Sequence, residues 1–163
     1  MMRSLLPLAF AVAACAPAAS ESDPLKPEIM RFGSTAAEIE AGLEGKCANG
    51  FVNRPIDPPF LPAVKTKQVQ IDCDGFEFLG APRWTEFVIG DDRLQMVWIM
   101  VKPEDQEMVV DALTKAYGEP SHRNSDYIAF TQARAAWRFK PAEVLYYAEE
   151  LDDEMAPDFE KKD

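Results

Sequence analysis

The residues able to do chemistry are few, and their spacing decides what each could do. The single histidine, His122, lies in the polar stretch Ser121-His122-Arg123-Asn124-Ser125-Asp126. Ser121, His122 and Asp126 are the residue types of a nucleophile, a base and an orienting acid. Neighbours in one loop rarely reach that geometry, and no Gly-x-Ser-x-Gly elbow occurs, so His122 reads as a solvated loop residue. Asp72-Cys73-Asp74-Gly75 has the acids and glycine of a calcium loop without its full spacing or its distant Glu. Asp74-Gly75 is instead expected to end a strand in a turn. One histidine and isolated cysteines make no ordinary zinc site. Paired carboxylates for glycoside chemistry stay open, because their separation is spatial and 28 Asp plus Glu offer many combinations. No Gly-Lys-Ser/Thr phosphate loop is present. These residues assign no catalytic group, metal or cofactor.

Charge narrows the partners. Lys plus Arg number 17 against those 28 acids, a net charge of -11. Such a field repels phosphate backbones, and no basic stripe offsets it, which argues against nucleic acid. It also opposes close approach to anionic headgroups, so a membrane location needs another means of attachment.

The first segment offers one. Met1-Met2-Arg3 is a short basic start, and Leu5 to Ala14 is an apolar run interrupted by Pro7. That is the layout of a secretory signal, too short for a membrane span of about 20 apolar residues. The run ends in Val12-Ala13-Ala14-Cys15, which resembles the lipobox of bacterial lipoproteins. The resemblance implies cleavage before Cys15, a diacylglyceryl group on its thiol and acylation of the new amino terminus. Acyl chains at roughly 0.8 kcal/mol per buried CH₂ would hold the chain at a bilayer. Ala16, rather than Asp, after Cys15 implies sorting to the outer membrane, facing the periplasm. The alternative is an ordinary signal cut near Ala18 or Ala19, which discards Cys15.

With Cys15 lipidated, Cys47 and Cys73 remain as an even pair in an oxidising compartment. A structural disulfide is expected; no Cys-x-x-Cys spacing favours a redox pair. A loop of this length stabilises by roughly 3.5 kcal/mol in the chain-entropy model.

The elements that must position these groups emerge from periodicity. Residues 1–14 read as signal, 15–28 as lipidated cysteine and flexible tether, 29–148 as one domain and 149–163 as an acidic, frayed tail. Thr35-Ala36-Ala37-Glu38 has capping-box form, with Ala36, Ile39 and Leu43 on one helical face. From Asn49 to Lys65, Pro55, Pro58, Pro59 and Pro62 oppose regular structure. Phe51, Phe60 and Leu61 in this stretch are candidates for partner binding; the favoured reading of the stretch is that its apolar side chains cover one edge or face of the sheet. Strands are expected at Val69 to Cys73, Phe76 to Leu79, Trp84 to Ile89 and Leu94 to Val101, with Gly90-Asp91-Asp92 as a turn. Val109, Ala112, Leu113, Ala116 and Tyr117 form a helical stripe after Pro103, closed by Gly118. Tyr127 to Thr131 and Ala135 to Phe139 read as a hairpin, and Glu143 to Ala148 as a strand or a helix. Met96, Trp98 and Met100 share a strand face, and sequence does not say which aromatics are core.

Helix, strands, helix, strands is the order of an α+β domain: a mostly antiparallel sheet with two helices on one face and the form of a diverged repeat. In element order alone it is similar to the small helix-plus-sheet domains of the barrel-assembly lipoprotein and of β-lactamase inhibitor protein. The functional expectation is a non-enzymatic envelope lipoprotein, lipid-anchored, that binds a protein or supports an assembly. A carboxylate-based periplasmic hydrolase and a small-ligand carrier are the alternatives.

Overall fold

The computed structural model describes Asp23 and residues 25–162. The leader, Cys15 and the first part of the tether lie outside the described residues. Eight strands pair antiparallel throughout: β1 (Phe51–Ile56), β2 (Gln68–Phe78), β3 (Ala81–Gly90), β4 (Arg93–Met100), β5 (His122–Arg123), β6 (Tyr127–Phe130), β7 (Ala135–Arg138) and β8 (Glu143–Tyr147). Their order across the sheet is β1-β2-β3-β4-β8-β7-β6-β5. Two meanders therefore meet at β4 and β8, and the edges are β1 and β5. The architecture is an α+β mixture dominated by antiparallel sheet.

Three helices accompany it: α1 (Ala36–Leu43), α2 (Gln106–Tyr117) and α3 (Asp152–Glu160). The capping box forms as expected. Thr35 Oγ1 accepts from the Glu38 amide, and the Thr35 amide donates to Glu38 Oε2 at 2.8 Å. Ile29 packs closely over Gly42: a Cβ there would meet Ile29 Cδ1 at 2.0 Å, so the end of that side chain would have to turn away. Ile39 and Leu43 of α1 and Val109 and Leu113 of α2 join one buried cluster with Ile71, Phe87, Val97, Trp137 and Tyr146. Met155 and Phe159 of α3 join a second cluster, with Leu61, Val88, Met96, Leu145 and Tyr147. Adjacent strand residues fall in different clusters, as the two-residue repeat of a pleated strand requires.

Several expectations need correction. The acidic stretch after Glu149 is not frayed: it forms α3, a third helix among the described residues. Arg134 fixes its start, donating to both Asp152 carboxylate oxygens, each from a different nitrogen at 2.9 Å. The tether's far end is also docked, since Asp23 accepts from the Leu25 and Lys26 amides and from the Tyr117 hydroxyl. The proline-rich segment begins as β1. Proline is tolerated there because an edge strand need not donate on both sides. Asp74-Gly75 does not end a strand; it is a bulge within β2, where pairing with β3 shifts between Cys73 and Phe76. Gly75 sits at φ 82°, and a Cβ would strike the Ala48 side chain at 2.6 Å. His122 is in the short edge strand β5 rather than a free loop.

The disulfide is present between Cys47 and Cys73, with Cα atoms 5.4 Å apart. It ties the end of α1 to β2. Among the described residues no helix is long and apolar enough to cross a membrane.

Candidate functional site

The register aligns side chains on the face opposite α1 and α2. Val52 of β1 faces Asp72 of β2, which faces Glu86 of β3, and Glu86 faces Trp98 of β4. Along the neighbouring row, Met100, Glu143 and Arg138 face one another across β4, β8 and β7. Part of this face is covered: α3 and the loop carrying Leu61 bury Val88, Met96 and Tyr147. The rest is open. Val52 is 63% exposed and Trp84 42%, while Trp98 and Met100 are half-buried.

A groove of about 320 Å³ runs beside the covered part, between Phe60 on one side and Glu154, Met155 and Asp158 of α3 on the other. Trp98, Met96, Glu86, Glu143 and Arg138 lie along it. The Arg138 guanidinium is held by several groups, Tyr127 among them. It pairs with Glu143, and its carbon lies 4.3 Å from the centre of the Trp98 ring. Glu143 is only 1% exposed, and burial, against the opposing pull of Arg138, pushes its carboxyl up to about 7. Nearby Glu86 adds to that rise. Burial also raises the Glu154 carboxyl and the Tyr127 hydroxyl, the latter partly offset by Arg138. Glu86 accepts from Trp84 Nε1 at 3.2 Å, and Asp72 takes the Arg54 guanidinium at 2.6 Å.

Chemically, the groove presents carboxylates and π faces. Its most perturbed carboxyl is withdrawn from solvent and ion-paired, which suits organising the floor better than meeting a substrate. Glu86, Glu154 and Asp158 are more accessible.

The structure separates the residues expected to bind a partner. Phe60 is 52% exposed at the groove, and Leu61 beside it is buried in the second cluster. Phe51 packs against the first cluster, on the other side of the sheet. The loop bearing Phe60 and Leu61 is fixed by Gln68, whose side-chain oxygen accepts from both of their amides at 3.1 and 3.0 Å. Ser121 and Asp126 are engaged apart from each other: Ser121 Oγ is 2.8 Å from Thr131 Oγ1, and Asp126 meets Lys161 at 2.8 Å. Asp72 is occupied by Arg54 and Gln70, consistent with a structural role in the open face.

Arg138 and Glu143 belong to no motif in the sequence. Their signal was the β7–β8 hairpin, which places opposite charges directly across from each other. The alternation of Met96, Trp98 and Met100 did mark the groove's central strand. Comparison of the chain with known protein families, with curated proteins and with solved structures finds no match, so the site stands on its own geometry.

Proposed function

We propose that this chain is a cell-envelope lipoprotein, anchored through Cys15 at the outer membrane and facing the periplasm, whose domain binds a protein partner through the open part of the sheet. The observation that carries the binding reading is the exposure of Trp84 and Val52 on a continuous face with half-buried Trp98 and Met100. Aromatic residues and methionine are favoured at interface centres, and a sheet face provides them on a rigid base. The two halves are read as diverged copies. Each runs from a helix into a four-strand meander, and α1 and α2 contribute to the same buried cluster.

The anchor reading rests on the lipobox-like run and is tested separately. Cys15→Ser should leave the membrane fraction after a carbonate wash, and its retention would reject the anchor. For the binding reading, a photo-crosslinking residue is placed at Val52 or Trp84 in cells, with Met108 on α2 as the exposed control. One reproducible adduct from the sheet positions and none from Met108 is expected. Equal adducts from all three positions would reject the face.

The carboxylate-hydrolase alternative draws on the raised carboxyl of Glu143. Burial and pairing with Arg138 weigh against it, because a reacting carboxyl must reach its substrate.

A further inference from the structure

We infer that the groove beside α3 receives a cationic side chain, lysine or arginine, from an apolar segment of the partner protein; this rests on the protein-binding reading and specifies the partner's chemistry. The groove's charge is one-sided. Glu86, Glu143, Glu154 and Asp158 line it against a single cation, Arg138. That cation is already used by Glu143 and by the Trp98 ring. Glu86 shares the field of Arg54, which Asp72 already holds, so Glu154 and Asp158 are left facing the groove without a basic counterpart in its lining, in a chain whose net charge is -11.

The walls suit what carries such a charge. Lysine and arginine bring an apolar stem behind a charged head, and the stem gains by lying along apolar surface. Met96, Met155 and Phe60 provide that surface, and the exposed Phe60 ring at the edge offers a further π face. Arg138 demonstrates the same preference from within the chain, with its guanidinium set between a carboxylate and an indole. An incoming cation would find the matching pieces on the other side: Glu154 and Asp158 on α3 and Glu86 on β3. Burial has already raised the Glu154 carboxyl, and a neighbouring cation would lower it again. An acidic or uncharged partner segment would leave these carboxylates desolvated without compensation.

The test pans the full mature chain, immobilised in detergent, against random short peptides displayed on phage. The expected winners carry Lys or Arg beside apolar residues. Their binding should weaken at least about tenfold in the double variant Glu154→Gln/Asp158→Asn, and also in high salt. Both positions are exposed, so the fold should persist, checked by an unchanged circular dichroism spectrum. Winners without a basic residue, lost in Trp84→Ala yet indifferent to the double variant, would overturn the cationic inference and leave the docking face standing. Winners indifferent to both sets of substitutions would overturn the face as well. Self-association of the full chain, abolished by Trp84→Ala, would put a second copy on this surface and overturn the inference.

Discussion

On the side of the sheet that carries α1 and α2, Trp137 and Tyr146 are fully buried; on the other side, Trp98 is half-buried and Trp84 is open to solvent. The first side is closed along its length, from Met30 and α1 across to Phe130 and Trp137. The second is closed only where α3 and the Leu61 loop lie over it. The same strands build both sides, so β propensity does not explain the difference. The cause lies in the segments that connect and flank the strands. Buried residues of α1 and α2 join the first cluster, whereas those of α3 and the Leu61 loop join the second. Apolar area that is left uncovered forgoes about 25 cal/mol per Å² and remains available for association.

The tryptophans give the widest contrast. Trp137→Ala should cost about 3–5 kcal/mol, as the loss of a large side chain from a closed core does. Trp84→Ala should fall within about 0.5 kcal/mol of the parent, as surface changes usually do. Urea titrations of both variants, with the Cys47–Cys73 disulfide intact, compare them directly. Similar costs for the two would mean that the second side is as tightly covered as the first.

That contrast was only partly legible in sequence. The capping box at Thr35, the stripe of α2 and most strands were readable because each is a local pattern with its own period. The disulfide was inferred from cysteine parity and compartment. The division of the aromatics was not readable, since Tyr146 and Tyr147 are neighbours of one type that enter opposite clusters. Only the register of β8 decides which goes where. α3 was concealed for a different reason. It lies in an acidic stretch, spans nine residues and contains Pro157, which removes a helical donor. Its place depends on Arg134 and on packing of Met155 and Phe159, both tertiary effects. The groove inherits that difficulty, because one of its walls is this helix.

Glu143 sharpens the comparison through pH. Its carboxyl is pushed from an ordinary 4.5 up to about 7, so the folded chain retains a proton that the unfolded chain releases. The associated stability is present below about 4.5 and is lost as pH rises through about 7. By linkage the change is up to about 3 kcal/mol. Glu154 acts in the same direction from an exposed position. In Glu143→Gln the decline between pH 5 and pH 7.5 should flatten, measured as urea midpoints at both pH values. An unchanged decline would show that this carboxyl is not the group responsible and that the floor of the groove is better solvated than its burial implies.

The most local effect concerns the loop that covers the second side. The Asp91 carboxylate sits in the β3–β4 turn and gathers that loop from a distance in sequence. It accepts from the Lys65 and Thr66 amides at 2.8 Å, from Thr66 Oγ1 at 2.6 Å and from the Lys67 amide at 3.1 Å. Donation by the Thr66 hydroxyl, then by the three amides, holds this carboxyl far below the usual aspartate range. A depressed value contributes stability above the unfolded aspartate pKa, and that contribution is lost only as pH falls well below it. The clamp therefore persists in acid that protonates ordinary aspartates. Asp91→Gly keeps the left-handed backbone of the turn, at φ 47°, and removes every acceptor. The amides of residues 65–67 should then exchange faster with solvent, while the global unfolding midpoint falls by less than in Trp137→Ala. Phe60 and Leu61 remain tied to Gln68, so the wall of the groove should loosen without detaching. If those amides kept their protection, the cover over the second side would owe its place to Leu61 packing alone. The partial closure that separates the two sides would then be an apolar effect throughout.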